Sequence, residues 1–185
     1  MALLQTPEKQ AGFPAPDFAL KNIDGRTLTL AECRGPEGLL VMFICNHCPY
    51  VKAIVTRLAE TCKTLQTERF GCVAIMPNDT ENYPADSFEN MKLFAREHGL
   101  TFPYLIDETQ QTAKAYGAVC TPDFFGFDRN LTLQYRGRLD SASAKPADAS
   151  TVPELLKAMR EIGRTGISTA PQHPSMGCSI KWKDS

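Results

Sequence analysis

The chain has 185 residues, 43% of them hydrophobic, and a formal net charge of −1 at pH 7. This length and apolar content suit one domain with a substantial core, so we predict a single domain spanning residues 1–185. The near-neutral charge excludes the strongly basic surface typical of nucleic-acid-binding proteins. No apolar run approaches the roughly eighteen residues that a membrane-spanning helix needs. We therefore expect neither nucleic acid nor a membrane as a partner.

The N-terminal segment predicts an extended arm and no export signal. Residues 1–16 contain Pro7, Gly12, Pro14 and Pro16, and they lack the basic and apolar regions of a secretory signal. We accordingly expect a cytoplasmic protein. In that reducing compartment, the seven cysteines favour a catalytic pair plus buried thiols over a framework of structural disulfides.

Elements follow the arm in an order typical of an α/β protein. Two alternating segments, 17–20 and 27–30, flank an Asp-Gly turn and predict a β-hairpin. Residues 39–44 are continuously apolar, as in a strand buried on both faces. From Val51 to Leu65, apolar residues recur at three- and four-residue spacing, which predicts an amphipathic helix with one buried face.

The second half of the chain predicts further strands and helices and then a tail. Capping boxes at Asp86/Glu89 and Thr151/Glu154 are predicted to open two helices. Alternating strands and helices with a late hairpin predict an α/β fold with a central mixed sheet. The remaining predicted elements are strands at 72–76, 102–106, 124–127 and 131–135, a helix at 109–116, and a C-terminal tail at 164–185.

Two cysteines, Cys45 and Cys48, lie where the apolar strand becomes the helix. The first turn of a helix carries unpaired N–H groups and a positive dipole end, which stabilise a thiolate. We therefore predict that Cys45 is a nucleophile with a lowered pKa and that Cys48, about one helical turn on, is its resolving partner. Asn46 and His47 are assigned to redox tuning, because a cationic His47 beside a thiolate would stabilise the reduced form.

A C-x-x-C pair can also be half of a zinc site. A structural zinc ion needs four ligands, and the sequence contains no second C-x-x-C and no H-x-x-x-H pair. We therefore predict no bound metal and no cofactor. A thiol-based module that binds a metal or a partner without turnover remains an alternative.

A proline interrupts the later apolar segment 119–127. Proline cannot donate to a strand ladder, so Pro122 indicates an edge or an irregularity, and a cis bond before it is one way to accommodate it.

The strand ending in C-x-x-C, with a later Thr-Pro step, resembles the thioredoxin fold. The segment 14–18 with its hairpin resembles the redoxin (AhpC/TSA-like) branch, which includes peroxiredoxins and membrane-anchored thiol reductases. Four motifs are similar to bacterial thioredoxin-family proteins named probable thiol-disulfide isomerases or peroxiredoxin-like proteins; they lie at 45–51, 78–84, 120–125 and 177–183.

This resemblance implies a thiol-disulfide oxidoreductase that acts on protein or small-molecule disulfides and is reduced by a thioredoxin or glutathione system. It makes Cys45 and Cys48 the redox pair and Pro122 a cis proline facing it, with Thr121 pairing to an extended substrate. The position of His47 matches protein disulfide isomerase, which implies a more oxidising couple than that of thioredoxin.

Two other cysteines have open roles in this comparison. Cys120 precedes Pro122 in a substrate-facing loop, and Cys178 is a candidate accessory thiol in a tail that could fold over the site. Our hypothesis is that one of them forms a second redox centre or passes electrons to Cys45. The alternative is a buried thiol and a purely structural tail.

The sequence departs from the patterns of both thioredoxin and the peroxiredoxins. Ile44 replaces the tryptophan that precedes the thioredoxin pair, and the strand before it lacks a buried acid. A peroxiredoxin-like thiol peroxidase is the alternative activity. Its P-x-x-x-T-x-x-C motif fails when aligned on Cys48, although the Cys-Pro step and a late arginine, Arg136 or Arg138, remain. Both arginines are expected at solvated strand ends.

Overall fold

The computed structural model describes residues 2–8 and 12–183, so parts of the predicted arm and tail lie outside the described residues. No helix within these ranges is long and apolar enough to span a bilayer. In chain order the elements are β1 (Leu3–Gln5), β2 (Ala19–Asn22), β3 (Thr27–Thr29), α1 (Leu30–Cys33), β4 (Leu39–Phe43), α2 (Pro49–Thr67), β5 (Gly71–Met76), a 3₁₀ turn (Pro84–Asp86), α3 (Phe88–Glu97), β6 (Tyr104–Ile106), α4 (Gln111–Tyr116), β7 (Cys120–Thr121), β8 (Asp123–Phe127), β9 (Leu133–Arg136), α5 (Glu154–Thr165) and β10 (Met176–Ser179).

The main sheet has the strand order β3-β2-β6-β5-β4-β8-β9. Strands β4, β5 and β6 run parallel, while β8 and β9 and the hairpin β2-β3 pair antiparallel. Strand β4 lies between β5 and β8, with Val41 opposite Val73 on one side and Phe125 on the other. The predicted thioredoxin-like α/β fold with a mixed sheet is confirmed.

Helices cover both faces of this sheet. Helices α2, α3 and α5 pack on the face that carries Leu40 and Met42, whereas α1 and α4 pack on the face that carries Val41 and Phe43. The predicted apolar face of α2 is buried as a continuous stripe. Its buried residues are Val51, Ile54, Val55, Leu58, Cys62 and Leu65.

Both predicted capping boxes are wrong. Ser87, not Asp86, is the N-cap of α3, and its side chain accepts a hydrogen bond from the Asn90 N–H. Helix α5 follows Pro153, whose side chain makes no capping bond. A cap depends on the backbone angles of the residue before the helix, which a four-residue pattern does not specify. Asp86 is instead fully buried in the 3₁₀ turn.

Strand β1 of the arm, strand β10 of the tail and the short strand β7 form a second sheet, with the order β1-β10-β7. Strand β10 pairs antiparallel with β1 on one edge and with β7 on the other. The tail is anchored on either side of β10, because Thr6 N–H donates to Ser175 O at 3.0 Å and Lys181 N–H donates to Asn78 Oδ1 at 2.9 Å. The C-terminal segment is therefore built into the fold rather than trailing from it.

Candidate active site

Cys45 and Cys48 lie at the junction of β4 and α2, as the sequence predicts, and neither side chain is exposed. Helix α2 begins at Pro49, so Cys48 is its N-cap residue and Cys45 lies before the helix. Proline is favoured in the first turn, where its missing N–H would have no intrahelical partner. The free N–H groups and the positive dipole end of the helix therefore stabilise a thiolate on Cys48 rather than on Cys45.

The Cys48 sulfur is surrounded by hydrogen-bond donors. The Cys45 thiol, then the Cys178 thiol and the Val51 N–H, lower the pKa of Cys48 to about 5 against the opposing effect of burial. Its Sγ lies 3.0 Å from Cys178 Sγ. When Cys48 is protonated, the Thr121 carbonyl oxygen at 3.2 Å accepts its proton in a hydrogen bond. Cys48 is therefore the thiol that ionises first.

The pKa of Cys45 lies well above its usual value. Hydrogen bonding to Cys48 is the largest cause, followed by burial and the nearby Asp86 carboxylate, while the Thr121 hydroxyl at 3.2 Å opposes them. The predicted lowering of the Cys45 pKa is therefore wrong. The prediction places Cys45 in the first turn of the helix, whereas the backbone puts Cys48 at the N-cap and Cys45 three residues before it.

Asp86 is a buried acid beneath the cysteine loop, a role that its capping-box pattern does not indicate. Its Oδ1 accepts hydrogen bonds from the N–H groups of Asn46 and His47 at 2.8 and 3.2 Å. Its Oδ2 contacts His47 Nδ1 at 2.7 Å and accepts from Asn78 Nδ2 at 2.8 Å. The acid absent from the strand before Cys45 is thus supplied by the 3₁₀ turn, and it holds the loop between the two cysteines.

Asn46 and His47 are both fixed in position. Asn46 accepts from the Tyr104 hydroxyl at 3.0 Å and donates to Ala85 O at 3.1 Å. The His47 ring stacks on Tyr83 with 5.9 Å between ring centroids, and its Nε2 is buried without a hydrogen-bond partner among the described residues. The imidazole contacts Asp86 through Nδ1. The predicted role of His47 in tuning the redox couple therefore stays a prediction.

One cluster at the site could hold a metal ion. Cys45, His47 and Asp86 offer ligand atoms that all lie within 4.8 Å of one another. A carboxylate has about four lone-pair positions, and the four contacts at Asp86 already use them. A metal would have to displace some of those bonds, so the arrangement fits the carboxylate's role in holding the loop better than metal binding.

The Thr121–Pro122 peptide bond is cis, and the residue before it contacts both cysteines. Thr121 Oγ1 lies 3.2 Å from Cys45 Sγ, and Thr121 O lies 3.2 Å from Cys48 Sγ. Cys120 is buried and directs its thiol to the Pro122 carbonyl oxygen at 3.7 Å, and burial raises its pKa. Of the two cysteines with open roles, Cys178 is therefore the one whose thiol contacts the pair.

The two late arginines are not at solvated strand ends. Arg136 is buried, pairs with Asp123 at 2.9 Å and lies over the Phe125 ring, on the sheet face away from α2. Burial raises the pKa of Asp123 to about 6 despite this partner. Arg138 makes two 2.8 Å bonds to Glu154. Each guanidinium group is held by a carboxylate of its own.

The AhpC/TSA family model matches residues 11–136. The chain belongs to the AhpC/TSA family. This matched segment of the AhpC/TSA protein includes Cys45, Cys48, Asp86 and Pro122, whereas Cys178 and β10 lie outside it.

Several proteins are similar to this AhpC/TSA member. It is 29% identical over 119 residues to thiol-disulfide oxidoreductase ResA of Geobacillus thermodenitrificans, an alignment that covers 64% of each chain. The match therefore spans less than two thirds of that relative. Over 124 residues it is 25% identical to Rv2521 of Mycobacterium tuberculosis, whose name contains the word peroxiredoxin, covering 67% of this chain and 74% of the relative. A crystal structure of an uncharacterized conserved protein from Geobacillus kaustophilus is 43% identical, with a TM-score of 0.92, covering 100% of this chain and 98% of that one.

Replacing Cys178 with alanine is expected to raise the pKa of Cys48 above about 5, because the variant lacks the thiol that hydrogen-bonds the Cys48 sulfur. Ultraviolet absorbance of the thiolate, followed against pH, measures this pKa. Cys33→Ala is the matched control, since Cys33 is buried on the opposite face of the sheet. An unchanged Cys48 pKa in the Cys178 variant would contradict the contact.

Proposed function

We propose that this AhpC/TSA protein is a thiol-disulfide oxidoreductase that uses Cys45 and Cys48 as its dithiol/disulfide couple. The observation that carries the proposal is the low-pKa Cys48 at the N-terminus of α2, hydrogen-bonded to its partner thiol. A thiolate is the attacking species in thiol-disulfide exchange, and a second thiol in contact with it can resolve the mixed disulfide. The ResA relative's name is consistent with this activity.

In the proposed mechanism, the Cys48 thiolate attacks one sulfur of a substrate disulfide. That S–S bond breaks, one substrate thiolate leaves, and Cys48 becomes part of a mixed disulfide. Cys45 then loses its proton and attacks the Cys48 sulfur, which releases the second substrate thiolate and leaves the Cys45–Cys48 disulfide. Two electrons pass to the substrate, and the reverse sequence oxidises a substrate dithiol.

We assign the proton from Cys45 to His47. Its ring lies within 4.8 Å of the Cys45 sulfur, and Asp86 holds the ring through Nδ1. A carboxylate behind an imidazole stabilises the imidazolium that forms when the ring takes a proton. Asn46 contributes by holding the loop through its bonds to Tyr104 and Ala85.

The proposed substrates are protein or small-molecule disulfides, with a thioredoxin or glutathione system as reductant. A shallow, mainly apolar pocket beside Pro122 supports a substrate with an apolar segment; it is lined in part by Tyr50, Ile54, Phe124 and Met176. A reducing, cytoplasmic location is part of the proposal, and the count of seven cysteines supports it.

Peroxide reduction is the second candidate activity. A low-pKa Cys48 followed by proline favours it, because peroxide reacts with thiolates, and the name of Rv2521 points the same way. The arginine that would polarise the peroxide is the missing part, since Arg136 and Arg138 are paired elsewhere. Consumption of hydrogen peroxide faster than reduction of a disulfide would favour the peroxidase activity.

Stoichiometric zinc in the purified protein would favour the alternative of a metal-binding module.

The Cys45/Cys48 couple is expected to have a reduction potential of about −180 mV, close to that of protein disulfide isomerase, because ionisation of Cys48 stabilises the reduced form. Equilibration with reduced and oxidised glutathione, read by mass spectrometry, measures the potential. Cys33→Ala should give the same value. A potential of about −270 mV would indicate a reductase like thioredoxin and would contradict the oxidising role. Failure of Cys48 to form a disulfide with either Cys45 or the adjoining Cys178 would reject the proposed function.

A further inference from the structure

The redox pair is closed off by the chain's own C-terminal strand. Cys45 and Cys48 are fully buried, and β10 lies against β7 directly beside them. In this pairing Cys178 lies opposite Thr121, the residue whose backbone oxygen and hydroxyl contact the two cysteines. Strand β10 therefore occupies the sheet edge next to the catalytic sulfurs.

The register of β10 brings a third thiol into the site. Cys178 Sγ lies 3.0 Å from Cys48 Sγ, and the Cys178 side chain is buried. Gly177 makes this approach possible, because a Cβ at that position would collide with the Thr121 carbonyl oxygen. The glycine before Cys178 thus allows β10 to approach β7 closely enough for the Cys178 sulfur to contact the Cys48 sulfur.

We infer that Cys178 is a third redox cysteine that exchanges a disulfide with Cys48 inside the covered site. This inference rests on the proposed function, since it begins from the Cys45–Cys48 disulfide which that function forms. The Cys178 thiolate attacks the Cys48 sulfur, a Cys48–Cys178 bond forms, and the Cys45–Cys48 bond breaks. Cys45 leaves as a thiolate and takes up the proton that Cys178 lost, so no external oxidant or reductant is needed.

The consequence is an oxidised form in which β10 is covalently fixed over the site and Cys45 is a free thiol. Access of a substrate to Cys48 requires β10 to leave β7. That edge is held by the pairs Cys178 with Thr121 and Ser179 with Cys120, and just beyond them the Ile180 N–H donates to Val119 O at 3.1 Å. The Cys48–Cys178 disulfide would prevent this movement until it is reduced. The tail strand is thereby both a cover and a participant in the exchange.

The test uses the full chain as a Cys45→Ser variant, with glutathione disulfide as oxidant. Attack by Cys48 gives a glutathione adduct and free glutathione; attack by Cys178 on the Cys48 sulfur then releases the second glutathione. After acid quenching and alkylation, peptide mass mapping is expected to find at least tenfold more Cys48–Cys178 disulfide than Cys48–glutathione adduct. The double variant Cys45→Ser/Cys178→Ser should retain the adduct.

Two further arms keep the outcomes distinct. A Cys45→Ser variant that accumulates the Cys48 adduct with Cys178 free would overturn the inference, while a Cys45–Cys48 disulfide in the wild-type chain would leave the proposed function standing. Absence of both disulfides would reject both the inference and the proposed function.

A further variant tests the position of β10. Cys45→Ser/Gly177→Ala retains every thiol of the test but displaces β10, so the yield of the Cys48–Cys178 disulfide should fall at least tenfold. An unchanged yield would contradict the close approach of β10 to β7. Thermal unfolding of each variant verifies that it folds.

Discussion

Replacing Cys48 with serine is expected to reduce disulfide exchange to the uncatalysed rate, whereas Cys45→Ser should retain the first attack on the substrate. The reason is that the thiolate lies on Cys48, whose pKa is lowered to about 5, while the pKa of Cys45 is raised. Loss of free Cys48 thiol upon addition of glutathione disulfide, followed by quenching and mass spectrometry, separates the first attack from its resolution.

The pH dependence of this first step identifies the attacking thiol. If Cys48 attacks, the rate rises between about pH 4 and 6, as Cys48 ionises, and is then level to pH 8, because the thiolate is already formed. If Cys45 attacks, its raised pKa leaves it protonated at neutral pH, and the rate should climb about tenfold per pH unit through pH 8. That second profile would restore Cys45 as the nucleophile.

Asp86→Asn is expected to destabilise the reduced protein by about 3 kcal/mol, because an amide presents one acceptor oxygen and turns N–H groups toward existing donors. Four contacts to the buried carboxylate are affected, from Asn46 N–H, both His47 groups and Asn78. For a chain of this size, such a loss corresponds to a decrease in melting temperature of about 9 °C. Thermal unfolding under reducing conditions measures it.

The same variant has an electrostatic readout that general destabilisation would not produce. Removing the Asp86 charge should lower the pKa of Cys45, because that charge is one of the causes of its increase. Alkylation of Cys45 should then begin at lower pH. Asp148→Asn is the control, because the Asp148 carboxylate accepts hydrogen bonds from the N–H and the hydroxyl of Ser150 in an exposed turn. The melting temperature of this variant should change little. Equal behaviour of the two variants would remove Asp86 from the site.

Local sequence patterns predict the strand and the helix that carry the site, because the spacing of apolar residues within each segment determines which surface it buries. The apolar run at β4 and the periodic face of α2 each bury a surface that their own residues define, so boundaries shift by only one or two residues. The proline within an apolar segment predicts an irregular strand, and the cis Thr121–Pro122 bond is the form that this irregularity takes. Cys45 and Cys48 therefore lie at the predicted strand-to-helix junction.

What the sequence alone determined about this protein is its thioredoxin-like frame and the location of its C-x-x-C pair. Only the tertiary structure decided how the pair is tuned, by placing Asp86 under the loop, Cys178 against Cys48, and Arg136 with Asp123 on the far face. These contacts join residues separated by up to 130 positions along the chain. A pKa depends on which charges, donors and buried surfaces meet in space, and no local pattern encodes such encounters.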